Sequence, residues 1–254
     1  RARIAVEPVA AHLIEMEDQP SDTSIVLTDG QGGNAIVTTV DCARSLSFER
    51  IHVHMAQAMA GDVVVLQGNL SLSSTSQIID FAHSRGMILA LNPSPFEAGI
   101  EALLPKMDIL FLNEHEARLI TSTEGMAAVR ALLDMQTRSV VLTLGERGAL
   151  LGDREGIIAV PAEPCNVMDS TGAGDTLQSV AIASSLRRKV AIDATALNIA
   201  ARAAALTVSR PGTANAFPTE NELSDLLSST AFHTKDDNNV KTSVFSRSLR
   251  DQPL

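Results

Sequence analysis

From residue 62 onward the chain repeats one pattern, a short and nearly uninterrupted apolar run followed by a stretch with helical spacing. The apolar runs are Asp62 to Gln67, Met87 to Asn92, Asp108 to Leu112 and Ser139 to Leu144. Between and after them, helical spacing is read at Ser73 to Ser84, Glu97 to Leu104, Glu114 to Thr121 and Met126 to Met135. A strand with one wet face alternates apolar and polar residues, and these do not alternate. Both of their faces must therefore be covered, which predicts a three-layer α/β/α fold around a mostly parallel sheet. Two further strands are read at Ala149 to Gly152 and Ile157 to Val160. Upstream, Ile25 to Thr28 and Ala35 to Val40 are β-type runs joined by Asp29-Gly30-Gln31-Gly32-Gly33-Asn34, a composition that predicts a hairpin near the N-terminus.

The stretch most informative about chemistry is Asp169-Ser170-Thr171-Gly172-Ala173-Gly174-Asp175-Thr176. Two glycines without side-chain bulk let the backbone turn sharply, so that successive N–H groups can converge on one anion. Thr176 to Arg187 then carries Leu177, Val180, Ala181 and Leu186 at helical spacing, which makes the turn a helix N-terminus. Unpaired N–H groups and the helix dipole favour a phosphate at that end. Asp175 falls in the same turn, within reach of a hydroxyl attacking such a phosphate, and reads as a general base for phosphoryl transfer. Its other reading is a first-turn acidic residue that complements the dipole. No G-x-x-x-x-G-K-[ST] occurs and no G-x-G-x-x-G follows a first strand, so neither a P-loop nor a dinucleotide fingerprint is present.

Ligands of open α/β sheets bind beyond the carboxyl ends of the strands. Asn92 and Asn113 end two of the strands, and Thr143-Leu144-Gly145-Glu146-Arg147-Gly148 follows a third. Asn113-Glu114-His115-Glu116 reads on its own as a helix N-cap with acidic first-turn residues. The glycines of the Thr143 stretch read on their own as a tight turn. His52 and His54 alternate, which would place both on one face of a strand as polar surface, without enough neighbours for a metal site. Arg187, Arg188 and Lys189 complement a helix C-terminus. An alanine-rich helix is expected from Ala191 to Val208, ended by Ser209-Arg210-Pro211-Gly212, and a last one from Glu220 to Leu227.

With 254 residues, 45% of them apolar, the chain suits a single α/β domain over residues 1–227. Residues 228–254 are polar, mixed in charge and without apolar periodicity, and are expected to be a disordered tail. A net charge of −10 argues against nucleic acid and anionic membrane as partners. Cys42 and Cys165 have no metal-ligand spacing. With no long apolar run and no signal-like start, a cytoplasmic protein is expected.

The octet closely resembles the second signature of the ribokinase-like (PfkB) sugar kinases, of the form D-[TS]-[TS]-G-A-G-D-[TS]. That resemblance implies an ATP-dependent carbohydrate kinase in which Asp175 is the base and Gly172, Ala173 and Gly174 form an anion hole. Asn113-x-x-Glu116 is similar to the family's N-x-x-E motif, which implies that Glu116 helps hold Mg²⁺ through water and that Asn113 lies at the nucleotide. Thr143-x-Gly145-x-x-Gly148 resembles the family's nucleotide loop, and Asn198 matches a position near the adenine. Asp169 and Thr171 match residues that help bind a monovalent cation, which implies K⁺, with backbone groups of residues 209–215. A homodimer is also implied. The likeness runs from about Asp22 to Leu227 and covers the carboxyl two-thirds of such kinases, so the sugar-binding front third is expected to be missing. A catalytically silent nucleotide-binding or association protein is the alternative that this implies. Gln67-Gly68-Asn69 lies where ribokinases commonly offer a sugar-binding Glu, and Leu177-Gln178-Ser179 replaces the usual Phe-Asn-Gly.

Overall fold

The computed structural model describes residues 4–28 and 34–228. The centre of the expected hairpin turn, and the expected tail beyond Ser228, lie outside the described residues. In chain order the elements are β1 (Ser24–Thr28), β2 (Asn34–Thr38), α1 (Asp41–Arg44), α2 (Phe48–Ile51), β3 (Val63–Gln67), α3 (Leu72–Ser84), β4 (Ile88–Asn92), β5 (Ile109–Asn113), α4 (Glu114–Thr121), α5 (Gly125–Asp134), β6 (Val140–Thr143), β7 (Ala149–Gly152), β8 (Ile157–Val160), α6 (Ala173–Arg188), α7 (Ala194–Val208) and α8 (Glu220–Ser228). The chain divides into two compact units, Arg1–Val26 with Ile36–Leu110, and Leu27–Ala35 with Phe111–Leu254.

Strands β3 to β8 form one sheet in chain order. β3 to β4 and β4 to β5 pair in parallel, with Gln67 opposite Asn92 at the end of the first pair. β6, β7 and β8 pair antiparallel. Their connections, Leu144–Gly148 and Asp153–Gly156, are too short for the crossover that a parallel pair needs. Helices flank the sheet, as the uninterrupted apolar runs predict. Leu110, Phe111 and Leu112 are consecutive and all buried, as are Val140, Val141 and Leu142. Burying a Leu or Val side chain of this kind stabilises by about 1.5–3 kcal/mol. The outer strand β3 departs from the expectation: Val65 is 47% exposed, on a strand that among the described residues has a neighbour on one side only.

The hairpin forms, but as a separate two-stranded sheet, with Ser24 and Thr38 joined through their hydroxyls at 2.7 Å. Ile25, Leu27, Ile36 and Val37 on it are each more than half exposed. His52 and His54 are not on a strand. Residues 48–55 coil into α2 and a 3₁₀ turn (His52–Met55), where His52 stacks on Phe48 and His54 on His12. Alternation over four residues is too brief to separate a strand from a helical turn. The expected helix at Glu97 to Leu104 is instead a 3₁₀ helix at Ile100–Lys106, entered through Gly99 at φ 99° and containing Pro105. Among the described residues no helix is long and apolar enough to cross a membrane.

Candidate active site

Helix starts differ in how their first N–H groups are satisfied. Ser71 caps α3, accepting from Ser74 N, and Asp193 caps α7, accepting from Ala196 N. At α4 the cap is reciprocal: Asn113 Oδ1 accepts from Glu116 N at 2.9 Å and Glu116 Oε2 accepts from Asn113 N at 2.9 Å. Helix α6 has no such arrangement. Its N-cap is Gly172, in the left-handed conformation at φ 82°, and no side chain caps it. Ala173 N reaches back to Ser170 O at 3.3 Å, while the Gly174 amide donates to nothing among the described residues. Gly174 and Asp175 are exposed and lie in the first turn. An uncapped helix start with an exposed carboxylate beside it is an arrangement able to take an anion and to accept a proton next to it.

The turn is braced from behind. A Cβ on Gly172 would come within 2.8 Å of the Phe217 ring, and φ 82° is one that side-chain-bearing residues rarely adopt, so a substitution here is strained. Asp169 Oδ1 accepts from Thr171 N at 2.9 Å and Oδ2 from Gly212 N at 3.1 Å, across 43 residues of sequence. The Thr171 hydroxyl and these backbone amides hold the Asp169 carboxyl below its ordinary range. Thr176 in the first turn of α6 meets Thr207 in the last turn of α7, hydroxyl to hydroxyl at 2.9 Å. Beyond α6's first turn, Leu177 and Gln178 are buried and Ser179 is exposed, so the first two replacements of Phe-Asn-Gly fall in helix packing.

Residues 209–217 are in turn clipped to α8. Arg210 binds Glu222 through both terminal nitrogens, Nη1 at 3.2 Å and Nη2 more closely, and its Nη1 also donates to Phe217 O at 3.5 Å. Arg210, then the Thr219 amide and hydroxyl, pull the Glu222 carboxyl from 4.5 to about 2. A carboxyl depressed on folding stabilises fully above its unfolded value and loses that contribution as pH falls through its folded one. The Tm difference between wild type and Glu222→Gln is therefore expected to be constant above about pH 5 and to shrink between pH 4.5 and about 2. A pH-independent difference would show that the clip contributes nothing.

A second cluster joins the ends of β5 and β6. Thr143 Oγ1 donates to Leu112 O at 3.4 Å, and Arg147 Nη2 donates to Glu114 Oε2. So the Asn113 cap and the Thr143–Gly148 turn, separate in sequence, are brought together here. The two glycines of that turn differ. Gly145, at φ 60°, faces open space, whereas a Cβ on Gly148 would strike Val160 O at 2.0 Å. Asn198 is exposed on α7, about 13 Å along the helix axis from Thr207 at 1.5 Å per residue. Sequence reasoning did not single out Phe217, Arg210 or Glu222: the approach of Phe217 to Gly172 and the Arg210–Glu222 pair are non-local, whereas the Thr219-x-x-Glu222 cap at the start of α8 is a local signal that could have found Glu222.

The protein family described as "pfkB family carbohydrate kinase" matches residues 5–220. Among curated relatives, the bifunctional ribokinase/ribose-5-phosphate isomerase A of Fructilactobacillus sanfranciscensis is 25% identical over 221 residues, 85% of this chain and 41% of that protein. The ribokinase of Bacillus subtilis is 29% identical over 226 residues, 87% of this chain and 69% of that one. The deoxyribokinase of Salmonella typhi is 27% identical, over 82% of this chain and 70% of that one. The chain thus spans less than half of the bifunctional relative and about 70% of the other two. The fold matches that of the ribokinase of Thermotoga maritima, with a TM-score of 0.71 at 23% identity, over 82% of this chain and 70% of that one. It also matches the Arabidopsis thaliana ribokinase solved with ribose and ATP, with a TM-score of 0.66 at 24% identity over 83% of this chain and 70% of that one. With a family match over most of its length, on this sheet and this glycine turn, the chain belongs to the PfkB family of carbohydrate kinases.

Proposed function

We propose that this chain transfers phosphate from ATP to a hydroxyl of a sugar, with Asp175 as the base. The observation that carries the reading is the uncapped, glycine-started N-terminus of α6 with Asp175 exposed in its first turn. A hydroxyl is a poor nucleophile until it loses its proton, and a carboxylate within hydrogen-bond reach takes that proton as the new bond to phosphorus forms. Negative charge on the phosphoryl oxygens is met by the amides of Gly172 and Gly174 together with the positive end of α6, and the Ala173 amide, which donates to Ser170 O at 3.3 Å, joins them by sharing or leaving that long bond. Asp169 holds the backbone just before these donors by accepting from Thr171 N and Gly212 N, which limits the reorganisation needed when the charge develops.

Thr143, Gly145, Gly148, Asn113 and Asn198 are proposed to receive the nucleotide, with Gly145 the glycine that leaves open space beside the backbone. Magnesium, when bound, neutralises charge on the phosphates. Glu116 is buried and its Oε2 accepts from Asn113 N, so its contact with the metal is proposed to run through water. Both oxygens of Asp169 accept backbone amides, which suits a role in shaping residues 209–215 around K⁺, with Thr171 beside it. The exposed apolar side chains of the hairpin offer a second copy of the chain a face to cover in a homodimer.

Relatives named ribokinase and deoxyribokinase make ribose and deoxyribose the first acceptors to test. The test is ADP release from ATP in the presence of each pentose, of fructose and of adenosine. Sugar-dependent release is expected. Nucleotide uptake with no acceptor-dependent ADP release would overturn the reading in favour of a silent nucleotide-binding protein.

A further inference from the structure

Arg147 lies in the turn between β6 and β7, and Glu114 opens α4 at the end of β5. One terminal nitrogen, Nη2, holds Glu114 Oε2, yet the Arg147 side chain is still 62% exposed against 27% for Glu114. A guanidinium carries five donors, so most of its hydrogen-bonding capacity faces solvent. Glu114 raises the Arg147 pKa most strongly, followed at longer range by Glu124 and Glu146. The arginine is therefore surrounded by acidic groups on α4, the residue before α5, and its own turn. The arginine of α4, Arg118, is paired with Glu124 instead and is not part of this turn. For a chain of net charge −10, this leaves Arg147 as the cation that the turn offers to an incoming polyanion. It stands two residues from Gly145, where the turn faces open space.

We infer that Arg147 exchanges partners, leaving Glu114 for the phosphate chain of the nucleotide. This rests on the nucleotide reading of the Thr143–Gly148 turn proposed above. A guanidinium as exposed as this one is held only weakly by its carboxylate partner. A polyphosphate offers more charge and a geometry that the planar fork matches with two parallel bonds. Glu114 then has two effects: it orients the arginine at the turn before nucleotide arrives, and it competes with the nucleotide for it.

The test is calorimetric titration of ATP, ADP, AMP and adenosine into wild type, Arg147→Ala, Arg147→Lys and Glu114→Gln, in EDTA so that metal contacts play no part. Arg147→Ala is expected to lose about tenfold or more in ATP affinity, the size of a charge-assisted hydrogen bond, and less with each phosphate removed, with adenosine unaffected. Arg147→Lys retains part of the affinity. Glu114→Gln is expected to bind ATP about threefold more tightly, because the competitor has lost its charge. Equal losses for ATP and adenosine in Arg147→Ala, or weaker ATP binding in Glu114→Gln, would mean that the pair only braces the turn, and would overturn the exchange while leaving the kinase reading intact. A wild type that takes up no nucleotide either in EDTA or with Mg²⁺ present overturns the kinase reading and the exchange with it.

Discussion

Asp175→Asn is expected to lower kcat by about 10²- to 10⁴-fold while leaving the fold and ATP affinity close to wild type, the contribution typical of a positioned general base. Asparagine keeps the size and shape of the side chain but cannot accept the hydroxyl proton. Asp175 is exposed in the first turn of α6, so the change removes no buried group and makes no cavity. Losing a negative charge at a helix N-terminus costs about 0.3–1 kcal/mol of stability. The two roles open to Asp175 are thereby separable. If it only complements the dipole, the Tm falls slightly and kcat holds. If it is the base, kcat collapses with the Tm almost in place. Turnover within about threefold of wild type would remove Asp175 from the mechanism, since a lost general base costs about 10²-fold or more.

How much of this was legible in the sequence depends on how local each feature is. Runs such as Leu110-Phe111-Leu112 and Val140-Val141-Leu142 announce strands buried on both faces because no polar residue interrupts them. The caps at Ser71, Asn113 and Asp193 depend on side chains bonding to backbone three residues on, so a window of four residues contains them. The octet at 169–176 is local in the same way. It joins one turn to one helix start, and the structure builds that turn on Gly172. Other features are set by what tertiary packing brings near. That Phe217 presses on Gly172, or that Arg147 reaches Glu114 across 33 residues, depends on which strand ends are neighbours and where a distant loop returns. His52 and His54 fail for the opposite reason, as their period-two pattern is too short to carry information against the helical start at Phe48.

The two glycines of the β6–β7 turn show the same division and lead to the second large effect. In sequence Gly145 and Gly148 are equivalent members of one spacing, each readable as a turn residue or as close backbone approach to a nucleotide. In the structure they do different work. Gly148 sits at φ 89°, ψ −134°, a conformation essentially reserved for glycine. Its missing Cβ would stand 2.0 Å from Val160 O, 2.7 Å from Ala162 N and 2.7 Å from Pro161 C. All three atoms are backbone, so no side chain can swing aside, and the turn itself or the end of β8 has to move. Gly148→Ala therefore combines overpacking, about 1–3 kcal/mol, with left-handed strain, about 1–2 kcal/mol. The expected loss is about 2–5 kcal/mol in urea unfolding, seen as a lower midpoint at an unchanged slope. Gly145→Ala meets nothing within 4 Å at φ 60° and should cost only about 1 kcal/mol. Its larger effect is expected on ATP, because a methyl group there occupies space on the open side of the turn. Gly148→Ala thus reports on the packing of the turn and Gly145→Ala on its ligand. A Gly148→Ala protein within about 0.5 kcal/mol of wild type, the range of a neutral surface change, would show that the turn is not pressed against β8 and that both glycines serve the nucleotide.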